Sequence, residues 1–256
     1  VGTGVNFSAH TYVAWCWKAG GAAVTNTDGT ISSQVSANPT AGFSIVKYTG
    51  NGLTNQTVGH GLGAAPKFII AKKTNGDHWF CYHAGIGATK RIFLNLNNVT
   101  ETSSYSWNDT APTATVFSQT NGSPNDSGAT VVAYCWSEIE GFSKAFSYTG
   151  NGSNDGPYVA CGFRPRYILW KRTDVANDWG IYDTARMTSN PMQLYLSPNN
   201  SGAEASNAPN AFDALAGGFK VRSTAGFDNA SGGVYIGMAF AEYPFGGQNT
   251  TPGKAR

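Results

Sequence analysis

The chain has 256 residues, of which only 12% are charged, with 32 glycines and a formal net charge of +2. Charge this sparse and this scattered gives a polyanion little to hold, so nucleic acid is not expected as a partner. The longest apolar runs are strand-sized, which leaves nothing to insert in a bilayer as a helix, and no basic segment followed by an apolar one marks a signal peptide.

In chain order, the first element is a strand within residues 1–20, where Tyr12-Val13-Ala14-Trp15-Cys16-Trp17 alternates small and large side chains. Residues 21–40 follow as a linker, its glycine-rich stretch already begun at Ala19, with a hairpin turn at Asp28-Gly29. Short runs rich in aromatic and β-branched residues, bounded by Gly, Pro and Asn, predict strands over 43–48, 67–73, 78–82, 91–96 and 115–118. The same signals recur over 145–148, 158–162, 166–172, 179–182, 193–196 and 219–222, with a single helical turn expected over 211–216. Residues 247–256 form a tail.

A segment occurs twice. Tyr48-Thr49-Gly50-Asn51-Gly52 returns as Tyr148-Thr149-Gly150-Asn151-Gly152, and the run after Pro66, Lys67-Phe68-Ile69-Ile70, returns after Pro165 as Arg166-Tyr167-Ile168-Leu169. Trp79 and Tyr82 reappear as Trp179 and Tyr182. The unit closes on Val131-Val132-Ala133-Tyr134-Cys135-Trp136, then on Tyr235-Ile236-Gly237-Met238-Ala239-Phe240, and residues 12–17 are the same ending without its body. One face of this ending is small and the other large, and neither is polar, which predicts a central strand covered on both sides. The expected fold is therefore all-β: two tandem antiparallel sandwiches of jelly-roll or lectin-like kind, over 41–141 and 142–246, joined by a short apolar connection that packs them rigidly together. Because the chain opens on Val1 with the tail of a repeat, it is expected to be the last part of a longer product, or a processed chain.

Features shared by both copies belong to the fold, and features that differ are candidates for function. Cys16 and Cys135 share a position taken by Ala239, which predicts small buried thiols, and no disulfide is expected between the unmatched Cys81 and Cys161. The glycines of Tyr-Thr-Gly-Asn-Gly and of Gly59-His60-Gly61-Leu62-Gly63 lead into strands, not helices, and so mark turns instead of phosphate cradles. His78 and His83 flank a strand where the second copy has Asp178 and Asp183; with His60 they form the best metal candidates, yet polar strand ends are the expected reading, and no metal is assigned. Trp15, Trp17, Trp79, Trp136 and Trp179 sit at alternating or equivalent positions and are expected mostly in the core. Trp107, in the loop Tyr105-Ser106-Trp107-Asn108, has no counterpart, and with Tyr105 and Asn108 it is the candidate exposed contact for a sugar ring. Glu138 recurs as Glu242, which favours a strand-end role over catalysis, and no Gly-x-Ser-x-Gly elbow occurs. The sequons at Asn55, Asn98, Asn108, Asn125 and Asn229 are expected by chance in so Asn- and Thr-rich a chain.

The set Gly42-Phe43-Ser44-Ile45-Val46, Tyr48-Thr49-Gly50-Asn51-Gly52, Val58-Gly59-His60-Gly61-Leu62-Gly63, Pro66-Lys67-Phe68-Ile69-Ile70 and Glu138-Ile139-Glu140-Gly141-Phe142-Ser143 resembles a repeat of large structural proteins in tailed bacteriophages, especially marine ones. Tyr12-Val13-Ala14-Trp15-Cys16-Trp17-Lys18-Ala19-Gly20-Gly21 looks like the end of the lectin-like sandwich that often precedes it. The resemblance implies a non-enzymatic virion component on the particle surface, such as a tail fibre or head-associated fibre, without cofactor. It implies a homo-oligomer among other virion proteins, giving assembly contacts or multivalent attachment to a host-surface glycan, with specificity in the divergent loops 101–112 and 199–210. A carbohydrate-binding module or lectin is the alternative, and a polysaccharide depolymerase the enzymatic one.

Overall fold

The computed structural model describes residues 8–207 and 211–243, so the expected tail at 247–256 and the last residues of the second expected sandwich lie outside the described residues. The chain is all-β. Its first half runs β1 (Val24–Asn26), β2 (Ser33–Asn38), β3 (Phe43–Thr49), β4 (Gln56–Gly59), β5 (Phe68–Lys73), β6 (Trp79–His83), β7 (Lys90–Phe93) and β8 (Glu101–Thr102), then a helical turn α1 (Ser104–Trp107), β9 (Val116–Gln119) and β10 (Thr130–Trp136). The second half follows with β11 (Ser143–Thr149), β12 (Tyr158–Ala160), β13 (Pro165–Arg172), β14 (Trp179–Asp183), β15 (Leu194–Tyr195), β16 (Ala205–Ser206), β17 (Phe212–Leu215), β18 (Gly218–Val221) and β19 (Val234–Ala241).

One sheet has eight strands in the order β1-β2-β3-β10-β5-β6-β7-β8, and a second has four in the order β11-β19-β13-β14. Within the first, β3-β10-β5-β6 stand as β11-β19-β13-β14 do in the second, and residues pair in the same register: Tyr48 opposite Val131 and Tyr148 opposite Tyr235, Ala133 opposite Ala71 and Gly237 opposite Trp170. The closing strands β10 and β19 are central, as two apolar faces require. Their small face, with Ala133 and Cys135 in β10 and Ala239 in β19, turns into the core of its own half. In the first half the β4–β9 ribbon closes that core with Val58 and Phe117. In the second, the sheet β12-β18-β17 does so with Val159, Phe219 and Phe212. The large face, with Trp136 in β10 and Met238 and Phe240 in β19, turns the other way, so that the two large sheets meet in a third core that we call the seam.

Three expectations need correction. Residues 21–40 are not a linker: β1 and β2 form a hairpin that extends the eight-stranded sheet, with β2 pairing along β3 from Asn38–Phe43 to Ser33–Tyr48. The turn lies where Asp28-Gly29 indicated, held by the Asp28 amide on Asn26 Oδ1 at 3.0 Å. Ser32, Ser33 and Gln34 between Ile31 and Val35 left too weak an apolar alternation to read as a strand. Residues 211–216, expected as a helical turn, instead contribute β17, hairpinned to β18, because Phe212 and Ala214 lie buried on one face while Asp213 and Leu215 point away. The ending at residues 12–17 forms no ladder; it lies extended across the end of the seam.

Candidate functional site

The seam joins the halves through rings and through directed bonds. Phe68, Ile70 and Trp136 from the first sheet face Tyr167, Leu169 and Phe240 from the second. Trp179 is fully buried there, and its Nε1 donates to the Phe93 carbonyl across the seam at 2.8 Å. The Thr100 amide donates to the Thr173 carbonyl at 3.0 Å and the Asn177 amide to the Asn97 carbonyl at 2.8 Å. The third copy of the ending reaches the same place: Trp17 stands edge-on to Trp136 at 5.8 Å and to Phe240 at 5.3 Å, so the three equivalent large positions converge. Edge-to-face aromatic pairs of this kind contribute ~0.5–1.5 kcal/mol each beyond area burial.

Trp107 is not an exposed contact. It is 1% exposed, because Ser103 caps the turn α1 and directs the indole inward, where it packs edge-on against Tyr82 at 5.8 Å. Tyr105, one residue pair earlier on the opposite side of the turn, is 58% exposed, and Asn108 ends the turn at a positive φ of 52°. Of the three candidates only Tyr105 presents a ring to solvent. Loop context misplaced Trp107 because a four-residue helical turn leaves no periodic trace.

The histidines do not converge. His60 and His83 are buried and share one arrangement: Nδ1 accepts the amide two residues on, from Leu62 at 3.3 Å and Gly85 at 3.0 Å, so Nε2 carries the proton and donates to a carbonyl, Thr113 at 3.2 Å or Gly237 at 3.0 Å. Burial pushes both rings down, His83 to about 4, which keeps them neutral. Asp183 does the same capping where His83 stands in the first half, accepting the amides of Ala185 and Arg186 at 3.1 and 2.8 Å. His78 and Asp178 also correspond, each beside an asparagine, Asn95 or Asn199, whose Oδ1 accepts the amide of Trp79 or Trp179 at 2.9 Å. Among the described residues no three of His, Cys, Asp and Glu gather as metal ligands would. Glu138 accepts the Ala145 amide at 3.1 Å, and Glu242 holds Arg164 Nε at 2.8 Å, both at strand ends.

The thiols are all free. Cys135 is buried as expected, and Cys81 and Cys161 lie in different cores, but Cys16 is exposed because its segment joins no sheet. Two features escaped the sequence reading. Asn125 and Asn229, seen only as sequons, are fully buried and reciprocally bonded to the turn asparagines: Asn51 and Asn151 donate their amides to Oδ1 at 3.2 and 2.9 Å, and receive Nδ2 in return at 3.2 and 3.1 Å. The sequence signal was present, as an Asn at the same offset before each closing strand. The second is Asp228, fully buried with Asn207 Nδ2 on one carboxylate oxygen at 2.5 Å and no partner on the other. Burial pushes this carboxyl up to about 7.

Antiparallel sheets packed face to face around an aromatic seam make this an all-β, sandwich-like protein. The chain belongs to the DUF7483 family, a domain of unknown function, whose model matches residues 1–244 and so runs through both halves and the N-terminal segment. No curated protein and no solved structure matches the chain.

Proposed function

We propose that this chain is a non-enzymatic structural component of a phage particle, of tail-fibre or head-associated-fibre kind, working on the virion surface in assembly or in multivalent attachment. The observation that carries the reading is the seam. Two sandwiches that share a core and exchange main-chain hydrogen bonds move as one block, and a rigid block holds separate weak contacts at a fixed spacing, so that several engage together. The motif resemblance supports the phage setting, and a symmetric homo-oligomer follows from the same logic of multiplied contacts. Immunogold labelling of purified particles with antibodies raised against the chain is the test: regular labelling at a tail or capsid feature is expected, and particles free of the chain overturn the reading.

A lectin reading keeps one support, the exposed ring of Tyr105. Glycan-array binding that disappears in Tyr105→Ala would favour it over a purely structural role. Release of reducing ends from host envelope polysaccharide by the purified chain would replace both with a depolymerase.

A further inference from the structure

The two halves differ in what flanks their smaller sheets. In the first, the β1–β2 hairpin runs beside β4 and closes its outer edge: the Ile31 amide donates to the Thr57 carbonyl at 3.0 Å, the Thr57 amide to Thr30 Oγ1 at 2.8 Å, and Ser33 Oγ to the Gly59 carbonyl at 3.0 Å. The second half has no such hairpin, because only residues 137–142 stand between β10 and β11.

β12 holds the place of β4, with Tyr158 and Ala160 where Thr57 and Gly59 stand, on either side of the buried Val159 or Val58. The Pro157 carbonyl and the Cys161 amide bond toward β18, so strand alternation turns the main-chain groups of Tyr158 and Ala160 the other way. Among the described residues no strand pairs with that edge. Gly59 is buried, whereas Ala160 and Tyr158 are exposed. The next turn shows the same contrast. Gly61 and Gly162 share a positive φ, of 70° and 82°; a Cβ on Gly61 would meet Val35 and Ala37 of β2 at 3.1 and 3.2 Å, and one on Gly162 would meet nothing within 4 Å. A cleft of about 980 Å³ lies there instead, between Ser143 and Lys144 of β11 and the end of β12 at Ala160, Cys161 and Gly162.

We propose that the outer edge of β12 and this cleft are the docking site for a β-strand donated by a different protein, added in the position that residues 30–37 hold in the first half. Main-chain bonds to Tyr158 and Ala160 would supply affinity, and alternate side chains specificity. The strand carries a β-branched residue followed two places on by a small one, as Val35 and Ala37 are, to rest on Gly162. Lysine or arginine follows just beyond, because Glu140, exposed and without an ion pair among the described residues, stands at the mouth beside the Glu138–Lys144 pair and leaves it net negative. Within this chain the segment of that pattern is already engaged in the first half, so the donor is another protein.

The test uses the whole chain, titrated with a labelled synthetic peptide of residues 28–38 followed by one lysine, and read by fluorescence anisotropy and hydrogen exchange. Saturable one-to-one binding is expected, with the Tyr158 and Ala160 amides gaining protection. Tyr158→Pro removes the amide equivalent to that of Thr57 at the first residue of an edge strand, where proline leaves the ladder intact, and should abolish binding with an unchanged thermal melt. Changes in the peptide alone cannot unfold the chain: Val35→Asp should abolish binding, and glutamate in place of the last lysine should weaken it about threefold. No saturable binding by the folded chain up to roughly 1 mM peptide would overturn the proposal. So would equal affinity for all three peptides, or protection gained along β4 in place of β12, which would mean that the peptide only displaces the chain's own hairpin. Protection of Tyr158 and Ala160 in the chain alone, rising with its concentration, would make a second copy the donor and overturn the assignment to a different protein.

Discussion

The two halves use the same strand order and solve their cores with opposite volumes. In the first half small Ala71 lies opposite large Phe80 across the β5–β6 ladder; in the second, large Trp170 lies opposite Gly180. The Trp170 ring covers the glycine so closely that a Cβ there would sit 1.8 Å from it. Along the neighbouring pair the larger residue stays on the outer strand, but its growth from Val46 to Phe146 is offset by the change from Ala133 to Gly237. A close-packed interior fixes the sum of volumes across a contact and not the size of each member, so two sequences can share a backbone while sharing few side chains at its centre.

The sharpest way to break this comparison is to move one half's solution into the other. Trp170→Ala alone should destabilise the chain by about 3–5 kcal/mol in guanidinium denaturation, as a large cavity does. Adding Gly180→Phe reproduces the Ala71–Phe80 pair and should recover at least half of the loss. If the double variant is no more stable than the single one, the two cores are not interchangeable.

Acid should separate the halves next. His83, held down at about 4 against an ordinary 6.5, contributes stability that is complete above the ordinary value and is lost as pH falls toward 4. Asp228 runs the other way: raised to about 7 from 3.8, it contributes stability complete below 3.8 and lost as pH rises through about 7. Each effect is on the order of a few kcal/mol. Hydrogen exchange between pH 7.5 and pH 5 should therefore show protection falling around β6 and the seam, where His83 holds Gly237, and rising in the turn around Asp228. His83→Gln should remove the first response and Asp228→Asn the second.

Smaller effects sharpen the same contrast. Trp179→Phe removes the indole bond to Phe93 and should cost about 1–2 kcal/mol, whereas Trp79→Phe, at a half-buried ring, should cost less. Tyr148 donates its hydroxyl to the Asp228 carbonyl at 2.7 Å, while the equivalent Tyr48 hydroxyl is buried without a partner. Thermal melts should then show Tyr148→Phe losing about 1 kcal/mol and Tyr48→Phe neutral or slightly stabilising.

What the sequence disclosed was what alternation and internal comparison can see. The two-sided apolarity of β10 and β19 gave their central position, and the pairing of His78 with Asp178 and His83 with Asp183 gave their strand-end roles. What it hid were elements whose burial comes from elsewhere. β2 is made of Ser, Gln, Val, Ala and Asn and becomes a strand because the edge of β3 stands open beside it. Trp107 turns inward through four residues of helix, too short for any periodicity to register. The seam draws on three distant segments, and no local pattern encodes their meeting.

The connection between the halves has a consequence for how such a chain can lengthen. An unpaired strand edge invites further strands and, with them, fibres. β11 would offer that edge, but its first outward amides are already taken, Ser143 by the Ile139 carbonyl at 2.9 Å and Ala145 by the Glu138 carboxylate at 3.1 Å. Residues 137–142 thus carry the chain across to the next sheet and cover the first half of the edge they deliver it to. A unit added by the same connection would arrive with the start of its edge strand already occupied, which shortens the stretch on which a foreign strand can pair.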